Sequence, residues 1–173
     1  MNGFARLPGL LQKARTSPFR LWLLNLLLRR VIPFNRPHRF AIERIEVDKI
    51  VTRAPYRRRN HNHIRGIHAC AIATIAEFSS GLILLAKLDP AKYRLIMSKL
   101  EIDYLYQAKQ LIYATTELDE QRLRKEILQP LQTKDAISIT QQTLVSDRQG
   151  NLVARAQVTW QIKRWDKVRT KLD

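Results

Sequence analysis

The chain has 173 residues, 45% of them apolar, with 31 Lys and Arg against 15 Asp and Glu, a formal net charge of +16. That apolar share excludes a disordered basic tail, because it can offset the entropy of ordering the chain, and the length suits one domain with an appendage. One cysteine excludes a disulfide framework, so nothing argues for an oxidising compartment and a cytoplasmic location is expected.

The charge is uneven: residues 1–65 hold 15 basic and 3 acidic side chains, the remainder 16 and 12. Within the basic third, residues 17–34 (SPFRLWLLNLLLRRVIPF) contain an apolar run from Phe19 to Leu28, interrupted by Arg20 and Asn25. The run is about half of the roughly 20 residues that a membrane-spanning helix needs. Arg29 and Arg30 follow it where a signal peptide would have small cleavage-site residues. The spacing predicts a helix that starts at Ser17, with Pro18 in its first turn, and stops before Pro33. Trp22, Leu23, Leu26 and Leu27 share one face, widened by Leu24 and Leu28. That face is expected to dock on the domain or on a second subunit; peripheral membrane attachment through the apolar face and its basic flanks is the other use open to it. The expected division is a basic helical extension over residues 1–35 and one domain over residues 36–173.

Phe40 to Arg53 reads as the first strand of that domain, with β-branched character from Ile42, Ile45, Val47, Ile50 and Val51. Next comes a loop dense in polar groups, APYRRRNHNHIRGIHA. Gly66 to Ala86 (GIHACAIATIAEFSSGLILLA) then reads as a helix that is apolar on nearly every side, and such a helix is a buried one. Its one formal charge is Glu77. An ionised carboxylate in an apolar core is costly unless paired or hydrogen-bonded, and burial should raise its pKa, so Glu77 is a candidate working residue.

After Pro90 the period changes. Residues 95–107 place Ile96, Leu100, Ile102, Tyr104 and Tyr106 on one strand face, with Lys99, Glu101 and Asp103 on the other. Residues 111–118 make a further strand, and residues 119–129 a short charged helix that Pro130 ends. Residues 136–146 and 151–163 form a hairpin with Gly150 in its turn. In the second arm Ala154, Ala156, Val158, Trp160 and Ile162 alternate with Arg155, Gln157, Thr159, Gln161 and Lys163, a half-buried pattern. Strand, buried helix and four antiparallel strands are best satisfied as an α+β fold in which the sheet wraps the helix, each hiding the other's apolar face.

This order, and the residues at its centre, resemble the hotdog-fold superfamily of acyl-CoA thioesterases and dehydratases over residues 36–173. The similar branch has an Asn before a glycine-containing loop, a His opening the central helix, and a carboxylate further along it. Here Asn62 lies six residues before His68, Gly66 lies between them, and Glu77 lies nine residues after His68. The form NHNHIRGIHACAIATIAE, with helices ahead of it, resembles a domain-of-unknown-function branch. Where relatives often have two glycines after the His, this chain has Ala69 and Cys70, and Glu77 stands where many have Asp.

The chemistry such residues support is thioester hydrolysis. A helix N-terminus offers unpaired N–H groups and a positive dipole end, so the Ala69 N–H is a candidate oxyanion donor. Glu77 would act as general base or nucleophile. Nine residues of helix rise about 13–14 Å, so both groups of one chain cannot share a carbonyl. The resemblance implies a homodimer, or a dimer of dimers, with Asn62 and Ala69 from one subunit and Glu77 from the other. Asn62 would hold the carboxylate or the water, and His68 would brace the loop. Arg57, Arg58 and Arg59 are candidate ligands for the phosphates of an acyl-CoA-like substrate.

Other readings compete. His61, His63 and His68 fall within eight residues, but no second cluster at metal-ligand spacing completes the set, and no metal or cofactor is expected. No helix-turn-helix, RNA-recognition or zinc signature supports nucleic acid as the partner. A non-catalytic acyl-CoA or lipid binder, and a basic peripheral membrane or nucleic-acid-binding protein, are the alternatives to a hydrolase.

Overall fold

The computed structural model describes residues 5–168; residues 1–4 and 169–173, which fall in the segments 1–35 and 36–173, lie outside the described residues. Two helices come first, α1 (Leu7–Ala14) and α2 (Pro18–Val31). The α2 start is as expected: Ser17 is the N-cap, its hydroxyl accepting the Arg20 N–H at 3.4 Å, with Pro18 where a missing N–H costs nothing. The helix α1 lies within the expected helical extension, and Pro8 in its first turn and the Leu7–Leu11 spacing are its helix signals.

The docked face of α2 differs from the expected one. Leu24 and Leu28 are buried, with Leu21 packed beside them, whereas Trp22, Leu23 and Leu27 point outward. A helix with leucines all round gives periodicity no face to choose. Asn25 decides it: Oδ1 accepts the Ile42 N–H at 2.7 Å and Nδ2 donates to the Ile42 carbonyl at 2.9 Å. The residue that breaks the apolar run thus clamps α2 to the edge of the sheet. Asn25→Ala is expected to cost about 2 kcal/mol by leaving both backbone groups without that partner, a Tm decrease of about 4–8 °C for a chain of this size. Thermal unfolding of the full chain checks this, and an unchanged Tm would remove the clamp from the account.

The expected first strand is two strands, β1 (Ala41–Ile45) and β2 (Lys49–Ala54), joined by a tight turn in which the Glu46 N–H donates to the Lys49 carbonyl. Exposed Val47 sits at its tip, so one β-branched residue disguised a turn as strand. The central helix α3 spans Ala69–Lys87, starting three residues later than the sequence suggested. There follow β3 (Tyr93–Tyr104), β4 (Ile112–Glu117), α4 (Glu120–Arg122), α5 (Pro130–Thr133), β5 (Ala136–Asp147) and β6 (Leu152–Arg164). Pro130 does not end the charged helix. A π-helical stretch, Leu123–Leu128, carries it from α4 into α5. The wider bond from Gln129 N–H to the Arg124 carbonyl leaves room for a proline ring that would crowd the carbonyl four residues back.

The strands form one antiparallel sheet, ordered β1-β2-β4-β5-β6-β3, that wraps α3. The β5–β6 hairpin turns at Gly150, whose φ of +86° lies in the left-handed region. Ala154, Ala156, Val158, Trp160 and Ile162 all face the helix and are buried, as their alternation implies. Along β3 the expected face is interrupted. A bulge between Met97 and Lys99 shifts the register, so Leu95 lies opposite Ile162 but Leu100 and Ile102 lie opposite Val158 and Ala156. An extra residue reverses the side-chain phase, which leaves Ile96 on the outer face. Tyr106 lies beyond the strand, and Tyr104, opposite Ala154, is half-exposed. Leu7, Leu11 and Ala14 of α1 and Leu24 and Leu28 of α2 join the same core as the sheet and α3.

Candidate active site

The polar loop between β2 and α3 is organised by Asn60, which stands outside the Asn62–His68 motif. Its side chain is fully buried; Nδ2 donates to the carbonyls of His38 (3.0 Å) and Pro55 (2.9 Å), and Oδ1 pairs with His38 Nδ1 at 2.9 Å. Its own carbonyl accepts the His68 N–H at 2.8 Å. One side chain therefore ties the segment ahead of β1, the end of β2 and the entrance to α3 together. The only hint in the sequence is an Asn beside a 3₁₀ turn, and its partners lie up to 22 residues away.

Asn62 shapes the next turn. Its Oδ1 accepts the N–H groups of Ile64 (3.1 Å) and Gly66 (2.8 Å), so the acceptor half is committed to the loop. Among the described residues its Nδ2 has no hydrogen-bond partner. A Cβ on Gly66 would stand 3.4 Å from that Nδ2 and 3.0 Å from Gln107, so any larger residue there would press these two side chains aside. Tyr56 locks the far side, its hydroxyl donating to the Arg65 carbonyl at 2.7 Å and its ring lying 4.1 Å from the ring of His61.

His68 is the N-cap of α3, its Nδ1 accepting the Cys70 N–H at 3.1 Å. That leaves the Ala69 N–H with no acceptor among the described residues, at a helix start where Ala69 and Cys70 are exposed. Tyr104 from β3 donates to the Ala69 carbonyl at 3.2 Å and holds this end of α3 against the sheet. The three histidines are thus apart in role: His61 is tilted against Tyr56, His63 is exposed and His68 caps α3. Among the described residues no group of three or more His, Cys, Asp or Glu is placed to hold a metal.

Further along α3, polar side chains are satisfied one by one. Thr74 donates to the Cys70 carbonyl, Ser79 to the carbonyls of Ile50 and Ala114, and Ser80 accepts the Trp160 indole N–H at 2.8 Å. Glu77 is the exception, with no hydrogen bond or ion pair among the described residues. It lies on the stripe Cys70–Ala73–Thr74–Glu77, which is the side of α3 that the sheet leaves incompletely covered. Its carboxylate and the Trp160 ring both lie against Gly81, 3.8 Å and 3.1 Å from where a Cβ there would stand. Burial pushes the Glu77 carboxyl up to about 7 from its ordinary 4.5, with no cation near enough to offset it.

Arg57 and Arg59 turn toward a different place. They line a cleft of about 580 Å³ with Arg29, Arg30, Arg36 and Arg39, while Arg58 is exposed outside it. Asn62, Gly66, His68, Ala69 and Glu77 do not line that cleft. The Asn62 turn and the helix start are therefore one cluster, Glu77 lies two turns along the helix from it, and Arg57 and Arg59 belong to a third locality.

Residues 20–162 match the model of a family described as a domain of unknown function, DUF4442. No curated protein matches the chain. Among solved structures, a Pseudomonas aeruginosa protein of unknown function, described as a probable thioesterase, is 25% identical with a TM-score of 0.75, covering 82% of this chain and 94% of its own. A protein of unknown function from Chlorobaculum tepidum is 14% identical with a TM-score of 0.71, covering 87% of this chain and 98% of its own. A thioesterase from Haemophilus influenzae is 14% identical with a TM-score of 0.66, covering 87% and 94%.

Proposed function

This chain belongs to the DUF4442 family of unknown function and has the hotdog fold, and we propose that it hydrolyses an acyl thioester, of the acyl-CoA kind, at a site shared by two subunits. The observation that carries the reading is Glu77. A half-buried carboxylate without a partner is unfavourable in an isolated fold, and a pKa near 7 is suited to taking a proton from water at neutral pH.

In this mechanism Glu77 of one subunit removes a proton from water as the water oxygen attacks the thioester carbonyl carbon. The charge that develops on the carbonyl oxygen is met by the Ala69 N–H of the other subunit, at the positive end of α3. Asn62 Nδ2 holds the water or the carboxylate in line. Collapse of the tetrahedral intermediate breaks the C–S bond, and the proton on Glu77 passes to the departing sulfur, giving acid and thiol.

Pairing of two chains is supported by β3. It is an edge strand of 12 residues with exposed Ile96 and Met97, and one backbone edge unpaired among the described residues. Such an edge is a template for a second copy. A panel of acyl-CoA thioesters of increasing chain length, read by thiol release, tests the reading. Turnover on at least one member is expected. Binding without turnover on every member would replace the hydrolase with an acyl-CoA binder. Light scattering of the full chain tests the assembly, with a dimer or its multiple expected and a monomer incompatible with a shared site.

A further inference from the structure

Thioester hydrolysis has no use for the outer face of α2. Phe19, Trp22, Leu23 and Leu27 stand there 66%, 55%, 44% and 42% exposed, on the side opposite Leu24 and Leu28, with the Phe19 and Trp22 rings stacked at 6.0 Å. At its C-terminal end the same helix contributes Leu26, Arg29 and Arg30 to the cleft completed by Arg36, Arg39, Arg57 and Arg59. Among the described residues no acidic side chain lines that cleft. None of the six arginines joins an ion pair among the described residues. Arg39 is held there with a φ of +54°, a left-handed conformation that a non-glycine residue adopts at a cost. Arg29 Nε is buried without an acceptor among the described residues, and burial first, then Arg39 and Arg53, push its guanidinium below the ordinary range. The cluster is short of negative charge, and beside it lies uncovered apolar surface.

We propose that α2 and the arginine cleft form a docking surface for an anionic phospholipid bilayer. The two halves match the two layers of such a surface. Aromatic and leucine side chains enter the boundary between headgroups and acyl chains, and the arginines meet the lipid phosphates. A guanidinium fork suits phosphate oxygens, and its aliphatic stem tolerates the interface. A second copy of this chain is the poorer occupant, because a two-fold contact over this face would bring two sets of six unneutralised arginines together. The surface stands independently of the hydrolytic reading, and its test does not use turnover.

The full chain is floated with vesicles of phosphatidylcholine alone and with vesicles containing phosphatidylglycerol. Co-flotation with the anionic vesicles alone is expected, and it should be lost near 1 M salt, where the screening length falls to about 3 Å. Arg57→Ala/Arg59→Ala should weaken binding by about 30-fold, from two lost phosphate contacts. Trp22→Ser should weaken it by about 10-fold without lowering the Tm, since the ring is exposed, and it remains a test if the double variant folds poorly. Flotation that ignores lipid charge, or both variants binding as the wild type does, would overturn the proposal. So would no flotation together with a Trp22→Ser change in oligomeric state, which would give the face to a second copy. Absent flotation combined with arginine-dependent binding of coenzyme A or of an oligonucleotide would reassign the cleft to a soluble ligand.

Discussion

Glu77→Gln is expected to lower kcat for thioester hydrolysis by about 10²–10⁴-fold and, at the same time, to make the chain more stable above neutral pH. The two effects share one cause. Gln preserves shape but has no basic oxygen to take the proton from water, so the chemical step loses its base. The stability change follows from linkage. Burial raises the folded carboxyl to about 7 against its ordinary 4.5. Below pH 4.5 both folded and unfolded chains hold the proton and Glu77 costs nothing. Between pH 4.5 and 7 the unfolded chain releases a proton that the folded chain keeps, so stability falls as pH rises; above 7 the penalty is complete, at about 3 kcal/mol. Gln does not titrate, so its advantage in Tm should be full at pH 8 and should vanish near pH 4.5. Thermal unfolding of both chains across that range, with thiol release measured alongside, checks the pair. A variant that keeps wild-type turnover would remove Glu77 from the chemistry. A Tm difference independent of pH would show that the carboxyl is not strained by burial.

Asn60→Ala should destabilise the fold by about 3 kcal/mol, the largest loss expected from a loop position, and lower the Tm by about 6–12 °C. The substitution strands two partly buried carbonyls, those of His38 and Pro55, and removes the partner of His38 Nδ1. The loss should reach the site as well. His68 enters α3 through a bond from its N–H to the Asn60 carbonyl, so a loosened Asn60 frees the entrance to the helix. Faster amide exchange at Ile67 and His68 than in the wild type is the accompanying readout. A Tm within about 1 °C of the wild type, with exchange unchanged, would show that water replaces the side chain at little cost.

The elements that were legible in the sequence are those whose signal is local. The alternation from Ala154 to Ile162 names its buried face because period two belongs to the strand itself. Ser17-Pro18 and Gly150 are read correctly because a cap and a left-handed turn are set within a few residues. Glu77 stands out because it is the one acidic residue in an apolar helix. Where local pattern misleads, a distant partner decides. Val47 looks like strand until the pairing of β1 with β2 makes it a turn. Ile96 and Leu100 look like one face until a bulge opposite β6 separates them.

By itself, then, the sequence determined the antiparallel sheet wrapped on a single apolar helix, the position of the one acid in that helix, and the capped start of α2, since each follows from spacing along a few turns or residues. Only the tertiary structure decided which face of α2 meets the core, because its leucines surround it and the choice rests on Asn25 reaching Ile42, 17 residues away. It also made Asn60 the knot of the loop and separated Arg57 and Arg59 from the helix start. Those outcomes depend on hydrogen bonds and charges meeting across long stretches of chain, which a local pattern does not record.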